Sequence, residues 1–378
     1  MVDNTCLVVF PTIFAKNKIN ELILNIKKIL KIQNQKFQSV ARDGSVIVVK
    51  ANDPVFASSA INLLFGIEKI IIANKIENKF NSIISEITTV GTRLLLKGER
   101  FYVNVEGTTV GYLSKDIEIA ATSKLIQNVV KLKAKPGTQN KHDKLLYTYI
   151  TKSSAYVSIF LDVGLGGIPN NSQNQKIICS IFDELSAVSC LACMKQGFEV
   201  KIIIFYQKQT ELRNLVKILN NLMPRMLQSK IEVQFYRLSI LEKNKDKLLL
   251  KIQVMVEILK RTALSKKISM VSLPVSPLVH PSAFTEHLTK NVFNDGLVPH
   301  VPLSGLDESI LTNAKEIGLE KYLGKIERLT KTKYTFQKIA PRKLTSFVDN
   351  SLKTRKIVQI TLGPNNIHHI LDSLKVKH

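Results

Sequence analysis

From Gln175 to Val301 the chain repeats one unit, a short run of apolar residues followed by a long amphipathic stretch. The apolar runs are Ile177 to Ile181, Val200 to Phe205, Ile231 to Phe235, Ile268 to Leu273 and Val298 to Val301. Helical spacing covers about 184–196, 208–227, 239–264, 281–292 and 307–318. A strand with no polar face must be covered on both sides, and long amphipathic helices supply that cover. The pattern predicts an α/β unit with a doubly wound, Rossmann-like parallel sheet. In such sheets ligands bind beyond the carboxyl ends of the strands, where a strand turns into a helix.

The first half of the chain has a different rhythm. Leu7-Val8-Val9-Phe10, Val46-Ile47-Val48-Val49 and Ile67 to Ala73 read as strands. Ile19, Leu22, Ile23, Ile26 and Leu30 recur at helical spacing, and Ala57 to Leu64 reads as a second helix. Residues 1–75 therefore predict a small ferredoxin-like α+β unit. Residues 76–170 form a second unit, with helices from about Asn81 to Leu96 and Lys115 to Val129. Its strands are Arg100 to Val105, Leu145 to Ile150 and Tyr156 to Asp162. Residues 171–378 hold the parallel sheet and a basic C-terminal segment.

Charge narrows the function. The formal net charge is +24, from 22 basic and 13 acidic residues in 1–170 and 32 and 17 in 171–378. A surplus on both halves points to a polyanionic partner, nucleic acid or an anionic membrane surface, although a lysine-rich composition accounts for part of it. The membrane reading is the weaker. The most apolar stretch, Ala57 to Ala73, is broken by Glu68 and Lys69, and the helix bearing Lys27, Lys28 and Lys31 needs its apolar face for its own unit. No signal peptide is legible and the four cysteines are scattered, so the expected location is cytoplasmic.

The densest cations outside the C-terminal segment are Arg93, Lys97, Arg100, Lys124, Lys131, Lys133, Lys135, Lys141 and Lys144. Such a group neutralises phosphates with strongly salt-dependent affinity, and is the candidate nucleic-acid-binding set. Tyr102, Tyr112 and Tyr147 read as core or strand packing, with stacking on unpaired bases as the alternative. A second strip runs through Lys331-Thr332-Lys333, Lys338, Arg342-Lys343, Lys353 and Arg355-Lys356. Cys190 and Cys193 form a CxxC without a second Cys or His pair at zinc spacing, so packing is the expectation and no metal site is assigned. His280 and His287 read as solvated or capping.

Several segments, taken in order, resemble the 4-thiouridine synthases (tRNA sulfurtransferases). Val163-Gly164-Leu165-Gly166-Gly167-Ile168-Pro169 with Ser172-Gln173 is similar to that family's GxGGxPxGTQ junction. Ala187 to Gly197 with Glu199-Val200 resembles the helix and strand that follow its ATP loop. Val301-Pro302-Leu303-Ser304-Gly305-Leu306-Asp307 resembles RPLxGxD, and Ala314-Lys315-Glu316-Ile317-Gly318 resembles A-R-x-I-G. The resemblance implies a THUMP RNA-binding domain over 76–170, an ATP-pyrophosphatase (PP-loop) domain over 171–378, and the acceptor end of tRNA as target.

The chain also departs from the family. The SGGxDS loop falls on Ile181-Phe182-Asp183-Glu184-Leu185-Ser186, where only Ser186 matches. Without the glycines the backbone cannot approach a phosphate closely, and Asp183 and Glu184 put negative charge where the triphosphate would lie. Asp183 itself reads as an N-cap or first-turn acid that complements the helix dipole, in preference to any catalytic role. The GExxGQ stretch is Pro274 to Val279, the RRxMxR stretch is Lys251 to Val256, and no cysteine stands beyond Cys193. The resulting expectation is a tRNA-binding protein that acts in tRNA modification without catalytic residues and without a cofactor. Its protein partner would be a separate modifying enzyme, a homologous subunit or a second copy as a homodimer. The alternative is an active tRNA sulfurtransferase using ATP through a divergent site, for 4-thiouridine or thiamine thiazole synthesis.

Overall fold

The structure is a computed structural model that describes residues 4–109, 111–238, 247–304, 311–312, 314–315, 317–319, 334, 336, 338–362 and 366–374. The chain divides into two compact units, 1–167 and 168–378.

The first unit contains β1 (Thr5–Pro11), α1 (Ile19–Ile32), β2 (Phe37–Asp43), β3 (Val46–Ala51), α2 (Pro54–Ile61) and β4 (Ile67–Glu77). It continues with α3 (Phe80–Leu94), β5 (Arg100–Gly107), α4 (Ser114–Asn128), β6 (Lys135–Pro136), β7 (Lys144–Ile150) and β8 (Ser154–Gly166). All eight strands share one sheet in the order β2-β3-β1-β4-β8-β7-β5-β6, so β4 and β8 join the two segments 1–75 and 76–170 edge to edge. The pairing needs Gly164, because a Cβ there would stand 2.3 Å from the Ile67 carbonyl oxygen.

Alternation along the strands sorts two cores. Ile83, Ile87, Phe101, Val103, Val105, Ile117, Leu125, Leu146 and Val157 pack with α3 and α4 on one face. Asn74 on β4 donates to Glu86 of α3 at 2.7 Å on that same face. Cys6, Val8, Phe10, Val46, Val48, Ile71, Ala73, Tyr147 and Tyr156 lie on the other face. There the sheet curls on itself. β1 and β7 are three strands apart, roughly 14 Å in a flat sheet, yet the Phe10 and Tyr149 ring centroids are 4.8 Å apart. The β2–β3 turn closes the curl: Ser45 meets the Tyr149 hydroxyl at 2.6 Å, and Tyr156 donates to Asp43 at 2.6 Å. Lys69 lies over the Phe10 and Tyr147 rings, at 4.8 and 4.3 Å, and pairs with Glu106 at 3.2 Å.

The second unit is the doubly wound sheet. Its elements are β9 (Lys176–Ile181), α5 (Glu184–Lys195), β10 (Glu199–Tyr206), α6 (Gln209–Leu222), β11 (Lys230–Arg237), α7 (Lys247–Ser265), β12 (Met270–Ser272), α8 (Ser282–Asn294) and β13 (Val298–His300). The strand order is β13-β12-β9-β10-β11-β14. The edge strand β14 (Lys356–Thr361) pairs antiparallel with β11, flanked by α9 (Pro341–Leu352) and α10 (Asn366–Leu374). The other pairings are parallel. Half of the expected helix over 307–318 lies outside the described residues, with 311–312 and 314–315 helical, and the first eight residues of that over 239–264 lie wholly outside them.

Candidate nucleic-acid interface and nucleotide loop

The nine cations converge through topology. β5, β6 and β7 are parallel, with Arg100 opposite Lys135 and Phe101 opposite Lys144, so their first residues stand at one end of the sheet. The preceding loops are tied to that end. Gly98 donates to the Leu132 carbonyl at 2.9 Å, and Lys135 donates to that of Glu99 at 3.0 Å. Lys97, Lys131 and Lys133 are thereby gathered beside Lys135. Lys141 closes a tight turn with Thr138 in the next loop. Arg93 comes from the last turn of α3, and Lys124 from α4, four residues before its end. They line a groove of about 450 Å³ with Ser85, Thr88, Thr89, Thr92 and Asn128.

Arg100 differs from the rest. It grips Asp143 with two nitrogens, each at 3.2 Å, and its hydrogen bond holds the Asp143 carboxyl below the usual range. Among the described residues no carboxylate lies within ion-pair distance of the other eight. Like charges held together without counter-charge lower their energy by meeting a polyanion.

The tyrosines separate by burial. Tyr147 is 2% exposed and donates to Glu106 at 2.7 Å, so it cannot stack on a base. Tyr112 is half-buried, packs edge-on to Phe80 and donates to Asn78. Tyr102 remains half-exposed, lining a groove of about 240 Å³ with Ile119, Lys115 and Pro136.

At the carboxyl end of β9 only Phe182 and Asp183 precede α5. Asp183 is the helix N-cap. Its carboxylate accepts from the Ser186 amide at 2.8 Å. The buried Ser186 hydroxyl accepts from the Phe182 and Asp183 amides, both at 3.0 Å. These N–H groups head the helix where an anion would be held, and side chains of the chain itself already occupy them. Glu184 is 4% exposed and accepts from Asn214 at 3.4 Å.

A crystal structure of a 4-thiouridine synthetase–RNA complex with bound ATP matches this chain with TM-score 0.64 and 14% identity, over 94% of this chain and 99% of that one. PH1313 from Pyrococcus horikoshii matches with TM-score 0.62 and 18% identity, over 85% and 99%. The fold is that of the 4-thiouridine synthetase. In sequence, the tRNA sulfurtransferase of Blochmanniella pennsylvanica is 28% identical over 193 residues, covering 49% of this chain and 38% of that relative. The chain thus spans less than two-fifths of that relative's length. No family model matches. Sequence similarity and shared fold together support a relationship with that family.

The junction that carried the resemblance splits structurally. Residues 163–166 end β8, whereas Ile168 donates to the Lys195 carbonyl at 2.8 Å and Gln173 to that of Gly197 at 3.1 Å, capping α5. Gly197 takes φ +84, the left-handed conformation that ends a helix cheaply only in glycine. Cys190 and Cys193 are buried on α5, and burial holds the Cys193 thiol well above its ordinary range. Among the described residues no three His, Cys, Asp or Glu could hold a metal ion. Of the two expected readings for His280, solvated or capping, the solvated one is corrected. His280 is 4% exposed, its Nδ1 accepts from the Ser276 amide at 3.2 Å, and burial lowers its pKa. His287 is half-buried against Phe336. Lys331-Thr332-Lys333 of the C-terminal strip lie outside the described residues. Lys356 is committed to the Leu374 carbonyl at 2.8 Å. No described helix is long and apolar enough to cross a membrane.

Proposed function

We propose that the chain is a tRNA-binding member of the 4-thiouridine synthase family that acts in tRNA modification without ATP-dependent sulfur transfer. Residues 1–75 and 76–170 form its ferredoxin-like and THUMP domains, and 171–378 a degenerate ATP-pyrophosphatase domain. The observation that carries the reading is the contrast between the two sites. Eight cations at one end of the first unit have no carboxylate partner among the described residues, while the Phe182, Asp183 and Ser186 amides at the head of α5 are taken by Asp183 and Ser186. A triphosphate would have to displace those bonds and approach two carboxylates. The similarity to a tRNA sulfurtransferase and the RNA held by the structural relative support tRNA as the ligand. The chain would hold the acceptor end of a tRNA and present it to a separate modifying enzyme or a homologous subunit.

A gel shift of the purified protein with bulk tRNA at two salt concentrations tests the binding half. A shift that weakens steeply with salt is expected. No shift at low salt would remove the tRNA assignment.

A further inference from the structure

The opposite end of the curled sheet carries a pocket that the tRNA reading does not use. Asn4, Lys50, Lys75, Ile76, Glu77, Ser153 and Ser154 line an open pocket of about 290 Å³ there. Strand register brings the two lysines together. Lys50 follows Val49, the partner of Leu7 on β1. Lys75 follows Asn74, the partner of Thr5 on the other side of the same strand. Both ammonium charges reach the buried Cys6 between them. Burial pushes that thiol up to about 11, and Lys75 and Lys50 pull against the rise.

Neither lysine has a carboxylate within ion-pair distance among the described residues. The two nearby acids are engaged elsewhere. Glu77 pairs with Lys79 at 2.5 Å. Asp43 accepts from Tyr156 at 2.6 Å, Thr151 at 2.9 Å and Ser153 at 3.4 Å. Lys75 is held by its backbone, whose amide donates to the Asn4 carbonyl at 3.0 Å, and its ammonium lies 5.9 Å from the Tyr156 ring. Two ammonium groups without an ion pair among the described residues, a side-chain amide and two serine hydroxyls that exchange local bonds line the pocket beside the Lys79-paired Glu77. A tetrahedral oxyanion bound there would draw the serine donors away from Asp43 and Tyr156.

We propose that this pocket binds a phosphoryl group, through Lys50, Lys75, Ser153 and Ser154. The site stands at the far end of β7 from Lys144 and Arg100, so it does not depend on the tRNA assignment. The group could belong to an RNA backbone or to a free phosphorylated metabolite, since the chemistry recognised is the same.

The test is titration of the full chain with inorganic phosphate at fixed ionic strength, followed by calorimetry. Wild type is compared with Lys50→Gln, Lys75→Gln and the double variant, each checked by circular dichroism for an unchanged fold. Ser153→Ala, at an exposed position, is a fourth variant that keeps the charge. Saturable binding is expected, weakened about tenfold by each lysine change and abolished in the double variant. Absence of saturable binding, or equal binding by wild type and double variant, would overturn the proposal. Repeating the titration with a short single-stranded RNA and with a nucleoside monophosphate separates the sources. Weaker RNA binding together with loss of the monophosphate in the double variant assigns the site to RNA phosphates, and loss of the monophosphate with RNA binding unchanged assigns it to a free ligand.

Discussion

Replacing Ser186 by alanine removes one oxygen and strands two backbone donors. The hydroxyl accepts from the Phe182 and Asp183 amides at 3.0 Å each and donates to the Asp183 carbonyl at 2.9 Å, at a residue with no solvent exposure. Each N–H left without an acceptor away from water costs about 1–3 kcal/mol, and the partly buried setting puts the pair near the low end, about 2–4 kcal/mol together. An exposed serine in a first helical turn would lose less than about 0.5 kcal/mol on the same change. Urea denaturation followed by far-UV circular dichroism, fitted to the transition of residues 168–378, measures the difference. For a unit of this size the loss corresponds to a fall in melting temperature of roughly 4–16 °C. A cost below about 0.5 kcal/mol would refute the reasoning, because it would mean that water already solvates these amides. They would then be open to a phosphate, and the head of α5 could hold a nucleotide.

Glu106 is held below its ordinary pKa of about 4.5, because its hydrogen bonds with Tyr147 and Lys69 and the Lys69 charge outweigh the burial that alone would raise it. Its share of stability is present above that value and is lost as pH falls through the lowered one, so Glu106→Gln should flatten the acid side of the stability–pH curve. Tyr156→Phe removes the 2.6 Å bond to Asp43 that closes the curl, and should cost about 1.5–3 kcal/mol in denaturant titration of the first unit. The triple change Lys131→Gln, Lys133→Gln and Lys135→Gln should weaken tRNA binding and reduce the salt slope by roughly 0.7–0.9 for each phosphate that is no longer neutralised, read from binding curves at several salt concentrations.

Burial explains which parts of the fold are legible in the sequence. β9, β10 and β11 are covered on both faces, so their runs of isoleucine, valine and phenylalanine announce themselves. β2 is an edge strand with only Val40 buried, and Phe37-Gln38-Ser39-Val40-Ala41-Arg42-Asp43 carries no period that separates it from a loop. The antiparallel β14 escapes for the same reason, since Lys356 to Thr361 is half polar and its partner is more than a hundred residues away. The curl of the first sheet is invisible to local pattern. It places Tyr147 and Tyr156 on an inner face that a flat sheet would leave wet, and so removes Tyr147 from the stacking candidates.

The candidate sites divide in the same way. The density of lysines between 131 and 144 is plain in the sequence, but the pairing of Arg100 with Asp143 requires the parallel register of β5 and β7. That residues 181–186 hold no glycine is likewise plain. That Ser186 bonds the Phe182 and Asp183 amides depends on the two-residue connection between β9 and α5. Lys50 and Lys75 carry no sequence signal at all, because twenty-five positions separate them and only β1 brings them together.

A chain that holds tRNA but does not spend ATP on it has a direct signature. Pyrophosphate release from ATP, measured with and without bulk tRNA at a salt concentration where the tRNA is bound, reads it. The expected result is no pyrophosphate above the protein-free control in either case. Release stimulated by tRNA would contradict it, and would mean that ATP displaces the Asp183 and Ser186 bonds at the head of α5.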